Sequence, residues 1–566
     1  MSSRPAGRAG ISRGLVVGIV GALLIAVAAL AVFAGGRTTP VPGSTDRTGS
    51  SSPTATPAAA SGPLASDPST PDPADSPGPT GPGPSPTPDP AASPSPPPTP
   101  VDVAMPIVPV VGFWEQGGGL SRGELIAALE GRSDRFADVW LPADDRDAIA
   151  QALGIRIADT VQSAEPTEIL MSLSDGGLGL LRASQLTPRV RALPLEGKEL
   201  IGTERVRGNH AWPLTIPVTV SPDEAWDQAS AITLVVGGDM LMDRGIYERV
   251  YNRNKGIDYP FDGGMVRITG RYCCGPFPPF TPQEVPSYVK TGNKGIVRRM
   301  LQDADLAFGN LENPVPDNWV FRVVGTPFSG KPELLQMFVN AGIDWVSLAN
   351  NHMLDFGTSG IRDTYRHLRR FGIGFSGAGI DLEQARTWSV QQVGDSTVAI
   401  LPCVTVAPGS WATENSAGAL PCRDRQLIPN IEQAANEADI VIVFPSWGPE
   451  YTPNPAPSQR RFAQRWIAAG ADVIVGFGHH QVAAMEEIDG RLVFYSIGNF
   501  VFDQNWSEAT MEGVLPELTF HRGELVQVEM NPFLTIDQSQ PNLLEPESGQ
   551  AVLRVIRNAS KGMLDY

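Results

Sequence analysis

The chain has 566 residues, 42% of them hydrophobic, and a formal net charge of −18. That length allows two or three domains with their own cores. The acidity argues against nucleic acid as a partner, because a phosphate backbone rewards basic faces. The four cysteines are Cys273, Cys274, Cys403 and Cys422. Their spacing is a poor match to a zinc site, and outside a reducing compartment they permit disulfides. Bridging Cys403 to Cys422 would close a Gly/Ser/Ala-rich loop. For the adjacent pair, a vicinal bridge and cross-pairing with the other two both remain open.

Residues 1–13 carry Arg4, Arg8 and Arg13 and read as a basic cytoplasmic N-terminus. Residues 14–34 are apolar almost without interruption, about the 20 residues a spanning helix needs. The charge bias keeps the N-terminus inside and sends the rest of the chain out of the cytoplasm. A cleaved signal peptide is the alternative, although this apolar run exceeds the usual h-region. Residues 35–103 are dominated by Pro, Ser, Thr, Ala and Gly and contain no aromatic residue. Such a segment cannot bury a core and reads as a disordered, partly polyproline-II linker.

Residues 104–230 read as a small α/β domain. MPIVPVVGFW is strand-like, SRGELIAALEG is a helix with a serine cap, DVWLPA is a short strand and DRDAIAQALG is a second amphipathic helix. This unit weakly resembles half of a bilobed periplasmic substrate-binding protein. It is too short for two lobes, which counts against a solute-binding role.

From 231 to 529 a helix–strand–polar turn pattern repeats. AITLVVGG ends in Asp239, DLAFGN in Asn310 and Glu312, and DWVSLA in Asn350, Asn351, His352 and Asp355. DIVIVFP ends in Ser446, Trp447 and Glu450, and DVIVGFG in His479 and His480; a hairpin then brings Asn499 and Asp503. Short, β-branched, wholly apolar strands alternating with helices predict a sheet covered on both faces. Ligands bind such sheets at the carboxyl ends of the strands, so residues far apart in sequence would meet in one cleft. Residues 530–566 read as a C-terminal extension.

The blocks GGDMLMDRG, ADLAFGNLENPV, SLANNHMLDFG, SWGPEY, GADVIVGFGHH and FYSIGNFVFD, in that order, resemble the CapA family of capsule and poly-γ-glutamate biosynthesis proteins. The resemblance implies a calcineurin-like metallophosphoesterase fold: a four-layer α/β sheet sandwich flanked by helices, here preceded by the small α/β domain, the linker and one transmembrane helix. It also implies a divalent metal ion, with Asp239, Asn310, Glu312, Asn351 and His480 as ligands and His352, Asp355 and Glu450 as catalytic groups. Oxygen and imidazole donors suit hard or borderline divalent ions, which activate water and neutralise developing charge. The implied partners are an anionic capsule polymer or its synthesis and export machinery, and the membrane through the N-terminal helix.

The sequence also departs from that pattern. The block usually written His-Trp-Gly-x-Glu-Tyr begins with Ser446, and Phe477 stands where the first histidine of Gly-His-x-x-His is expected. With two imidazoles gone, the expectation is a site for one ion rather than two. Two functions compete: a metal-dependent hydrolase, and a non-catalytic polymer-binding or assembly factor with a degraded metal site. Plainer roles stand beside the functional ones. Asp239 reads equally as a helix cap, Asn310 and Asn499 as turn residues, and His479 as structural. Trp447 and Tyr451 read as core or as a cleft wall. Arg362, Arg366, Arg369 and Arg370 share helical spacing and read as a solvated face rather than a polyanion track.

Overall fold

Strands that are apolar on both faces must be covered on both, and this chain covers them with a second sheet on one side and helices on the other. The computed structural model describes residues 99–173, 176–273 and 283–566. The expected membrane anchor, nearly all of the linker, and Cys274 lie outside these residues. Among the described residues no helix is long and apolar enough to cross a membrane.

The larger sheet has ten strands. Its centre runs Gly374–Ser376, Trp345–Ser347, Leu306–Leu311, Ala231–Met240, Glu512–His521, and Asn499–Val501 also pairs with Ala231–Met240. The smaller sheet, of six strands, centres on Ser396–Val404, Ile440–Ser446 and Val473–Val475. The two share one core in which Leu234, Phe308 and Trp345 meet Ile400, Phe444 and Phe494. Phe444 reaches across with ring centroids 5.3 Å from Phe308 and 6.5 Å from Trp345. On the outer face of the larger sheet, Val297, Phe338 and Leu368 from three helices pack with Val235, Ala307 and Val346. On the outer face of the smaller sheet, Leu427 and Trp466 from two more helices pack with Ala399 and Val443. The result is the expected helix–sheet–sheet–helix sandwich.

The small domain is built on Val101–Gly112, which pairs antiparallel with Leu178–Arg182, Val190–Ala192 and Thr215–Val220. Its helix Arg122–Leu129 starts where expected, with Ser121 and Glu124 forming a capping box. Strand pairing reaches into the segment read as linker, where Val101 pairs with Val220. The domain is fastened to the sandwich by buried hydrogen bonds from Ala192 N to Gln527 Oε1 (2.6 Å) and from Thr203 N to Glu517 Oε2 (2.9 Å).

The sandwich does not end at 529. Glu524–Ile536 crosses that point as one strand of a long hairpin, Gln540–Leu544 pairs with it, and Val552, Leu553 and Ile556 of the last helix join the inter-sheet core. Residues 530–566 are therefore part of the sandwich. Cys403 and Cys422 are bridged to each other, so neither pairs with the adjacent cysteines.

Candidate functional site

Two glycines set the site's backbone. A Cβ on Gly238 would lie 1.9 Å from the carbonyl oxygen of Gly498, so only glycine lets these strands close together. Asp239 then lies in register with Asn310 on one side and Asn499 on the other, both across parallel pairings that slip at these residues. Such irregularities re-aim side chains, and here they gather Asp239 and Asn310, near the carboxyl ends of their strands, with Asn499 at the start of its own.

These groups are buried and must find partners. Asp239 is 1% exposed, Asn310 0% and Glu312 4%. Asn310 Nδ2 donates to both carboxylates, to Asp239 Oδ1 at 2.9 Å and Glu312 Oε2 at 2.6 Å. Asn350 Nδ2 donates in turn to Asn310 Oδ1 (3.0 Å) and Leu311 O (2.7 Å). His480 Nδ1 donates to Asn499 Oδ1 at 2.9 Å, and Asp239 Oδ2 lies 3.3 Å from the same nitrogen. The N–H is thus spent on Asn499. Asp239 Oδ2 feels the imidazole's charge but receives no hydrogen bond.

Charge is unevenly shared. Burial, reinforced by the charge of Asp239, pushes the Glu312 carboxyl up to about 7, with His352 and His480 opposing. Burial works against the charged form of His480 as well, but the charge of Asp239 3.3 Å away, with Glu312 and the hydrogen bond to Asn499 behind it, holds the imidazole up at about 9. The centre therefore carries its own cation.

The turn after Trp345–Ser347 supplies the second histidine. Its backbone N–H donates to Asn350 Oδ1 at 3.0 Å, and its Nδ1–H donates to Asp355 Oδ2 at 3.0 Å, an oxygen that also accepts from Phe328 N at 2.7 Å. Asp355, an acceptor only, fixes the His352 tautomer. Nε2 is left without a partner among the described residues, as a general acid or base requires.

An aromatic rim joins the two histidines. Phe328 lies 4.1 Å from the His352 ring and Phe502 lies 5.5 Å from the His480 ring. The Arg244 guanidinium sits over both, at 4.6 and 5.8 Å, and is ion-paired to Asp503. Arg244, Tyr451 and His480 all hold left-handed backbone, with φ of 44°, 57° and 58°. Such strain in non-glycine residues gathers at functional sites. Sequence reasoning missed Arg244 and Phe328. Arg244 stands in GGDMLMDRG, but nothing there shows that its side chain folds back over the cleft, and Phe328 belongs to no motif.

The structure thus brings Asp239, Asn310, Glu312, His352, Asp355 and His480 together. Asn351 is half-buried, with an amide that makes no hydrogen bond among the described residues; Asn350 holds the interior position instead. Glu450 is exposed and stands beside Tyr451, whose hydroxyl is pushed up to about 12 by burial first and by the Glu450 charge second; no described contact joins Glu450 to the carboxylate cluster. His479 is structural: wholly buried, it is bonded to Gln459 and to the Thr452 carbonyl, each at 2.9 Å. Trp447 is core, stacked 5.4 Å from Trp466, while Tyr451 lies on the rim, 5.8 Å from His480.

The departures at 446 and 477 are built into the core. Ser446 is 2% exposed, and Phe477 is 0% exposed with its ring 4.5 Å from Phe444. Phe477→His is therefore expected to recover no metal site. It would instead lower stability by about 2–4 kcal/mol through lost packing and a buried unpaired imidazole, read as a fall in denaturation midpoint.

The unpartnered Asp239 Oδ2 is an oxygen a cation would satisfy. The rest of the set does not converge on one point. Among the described residues no three His, Cys, Asp or Glu side chains stand where they could hold a metal ion together. Asn310 and Asn499 tie the carboxylates and His480 to one another instead. As arranged, the site does not fit two ions, and a single ion fits only after His480 is released.

The helix–sheet–sheet–helix sandwich, with carboxylate, amide and imidazole groups at its strand ends, is the α/β layout expected from the sequence. Residues 233–504 match the model of a family described as bacterial capsule synthesis protein PGA_cap, and the chain belongs to that family. It is 32% identical over 256 residues to the PGA biosynthesis protein CapA of Bacillus subtilis strain 168, covering 44% of this chain and 67% of the relative. It is 28% identical over 344 residues to the capsule biosynthesis protein CapA of Bacillus anthracis, covering 59% and 75%. Among solved structures, a 5'-nucleotidase precursor from Thermus thermophilus aligns over 59% of each chain at 14% identity with a TM-score of 0.33, too slight a likeness to argue from.

Proposed function

We propose that this chain works outside the cytoplasm, held at the membrane by residues 14–34, in the synthesis or export of an anionic capsule polymer such as poly-γ-glutamate, and that it positions the polymer rather than cutting it. Family membership and the names of both CapA relatives support the polymer. One observation supports positioning over cutting. Ser446 and Phe477 fill, as core residues, the places where further imidazoles are expected, and the remaining carboxylates are already bonded through Asn310 and set against His480.

The test is elemental analysis of the purified chain after exposure to divalent metals, alongside chromogenic phosphoester and γ-glutamyl substrates and polymer binding. The expected result is substoichiometric metal, no turnover, and saturable polymer binding that survives chelation. A stoichiometric ion with turnover lost in Asp239→Ala would overturn the reading.

That outcome would support the second reading, a one-metal hydrolase, which the unpartnered Asp239 Oδ2 and the His352–Asp355 pair favour. Asp239, Asn310, Glu312 and His480 would then hold the ion, which would supply Lewis acidity. His352, oriented by Asp355, would move a proton at Nε2, and Phe328 and Phe502 would screen the cleft from water.

A further inference from the structure

The helix Gly357–Phe371 begins two residues after Asp355, so it leads directly away from the candidate site. Its inner face is buried through Ile361, Thr364, Tyr365, His367 and Leu368. Its outer face carries Arg362, Arg366, Arg369 and Arg370, all exposed. On a helix, positions i, i+4 and i+8 stand in line about 6 Å apart, so Arg362, Arg366 and Arg370 form a ladder with Arg369 beside it.

Only one of the four is neutralised. Arg366 is ion-paired to Asp317 and, at 2.9 Å, to Asp363. Arg362, Arg369 and Arg370 have no carboxylate partner among the described residues. Arg369 lies over the rings of Tyr365 and Phe375, at 5.6 and 5.7 Å, and Arg370 lies over Phe371 at 5.9 Å. The helix dipole accounts for cations in the last turn, which covers Arg369 and Arg370 but not Arg362 or Arg366. Like charges spaced by four residues also weaken a helix.

We propose that this arginine stripe is the docking track for an extended polycarboxylate chain leading to or from the cleft. The inference rests on the polymer-handling reading above and assigns it a surface. Charge complementarity argues for the occupant. The chain as a whole carries −18, so attraction of a polyanion calls for a local positive face. A lipid surface fits less well, because none of the large exposed hydrophobic side chains lies on this helix. The helix spans about 22 Å at 1.5 Å per residue over its 15 residues, enough to hold several consecutive carboxylates. The spacing that reads in sequence as a solvated face is thus a directed one.

The experiment titrates the full chain, in neutral detergent, into fluorescently labelled polyglutamate at two salt concentrations. The comparison is with Arg362→Ser/Arg369→Ser/Arg370→Ser, which leaves the ion-paired Arg366 in place, and with the matching triple lysine variant. The expected result is binding by the wild type, weakening of about tenfold or more with a shallower salt dependence in the serine variant, and retention in the lysine variant. Equal binding by wild type and serine variant, with matching thermal melts, would overturn the track while leaving the polymer reading intact. No binding by the wild type would remove the polymer reading itself. Arginine-dependent binding to polyphosphate or to anionic phosphatidylglycerol vesicles, but not to polyglutamate, would overturn the choice of partner.

Discussion

The protein is expected to unfold more readily at pH 9 than at pH 6, and Glu517→Gln is expected to remove much of that difference. Glu517 sits directly opposite Glu529 in the long hairpin, like charges in register. Its oxygens accept from Thr203 N of the small domain at 2.9 Å and from Asn531 Nδ2 at 3.1 Å. Burial, then Glu529 and Glu199, push its carboxyl up to about 8. Glu199, on the small-domain side, is pushed up to about 7 by burial, Glu529 and Glu204, with Arg191 opposing.

A carboxyl raised in the folded state holds its proton there after the unfolded chain has lost its own. Its stabilisation is complete below the ordinary value of 4.5 and is lost as the pH climbs through about 8. The gap is worth a few kcal/mol, at about 1.4 kcal/mol per pH unit. Glu512, also raised to about 8, and His480, at about 9, act in the same direction. His479 and His521, both lowered by burial, act in the opposite direction below their ordinary 6.5. Denaturant melts across this range in wild type and Glu517→Gln decide the matter. The glutamine stands in for the protonated carboxyl and should flatten the alkaline slope, and parallel curves would show that the seam between the domains is not proton-dependent.

Asp239→Ala should lower stability by about 3 kcal/mol or more at neutral pH. The substitution strips the buried His480 of its counter-charge at 3.3 Å and one of the two acceptors of Asn310 Nδ2 at 2.9 Å. The His480 imidazole should also lose its proton at lower pH than before, since burial then acts without the Asp239 charge. Asn351→Ala serves as the contrast and should stay within about 0.5 kcal/mol, as a half-buried side chain with no hydrogen bond should. Equilibrium unfolding and histidine proton resonances report both effects. A silent Asp239→Ala would mean that the cluster is not a bonded unit.

Much of the sandwich was legible because its strands are too apolar to face water and its helices alternate with them. Polar residues at the strand ends pointed to Asp239, Asn310, Glu312, His352 and His480, which the structure brings near one another. The choice between Asn350 and Asn351 was not legible. Both follow Ala349, and only the closeness of the Asn310 strand decides which amide turns inward. The boundary at 529 failed for a related reason: the hairpin partner of Glu512–His521 is a strand whose alternating pattern gives no sign of which sheet it extends.

By itself the sequence determined that its strands are covered on both faces and in what order its polar blocks come, since these follow from hydrophobic period and residue identity; the four layers and the loss of two expected imidazoles follow from the family resemblance. The tertiary structure alone decided that Phe477 is core, that Arg244 spans Phe328 and Phe502, that His480 faces Asp239, and that Glu517 meets Glu529 and Glu199 at a domain seam. Each of these is a contact between segments far apart in the chain. Such contacts are set by strand register and by the packing of one sheet on another, which no local pattern encodes.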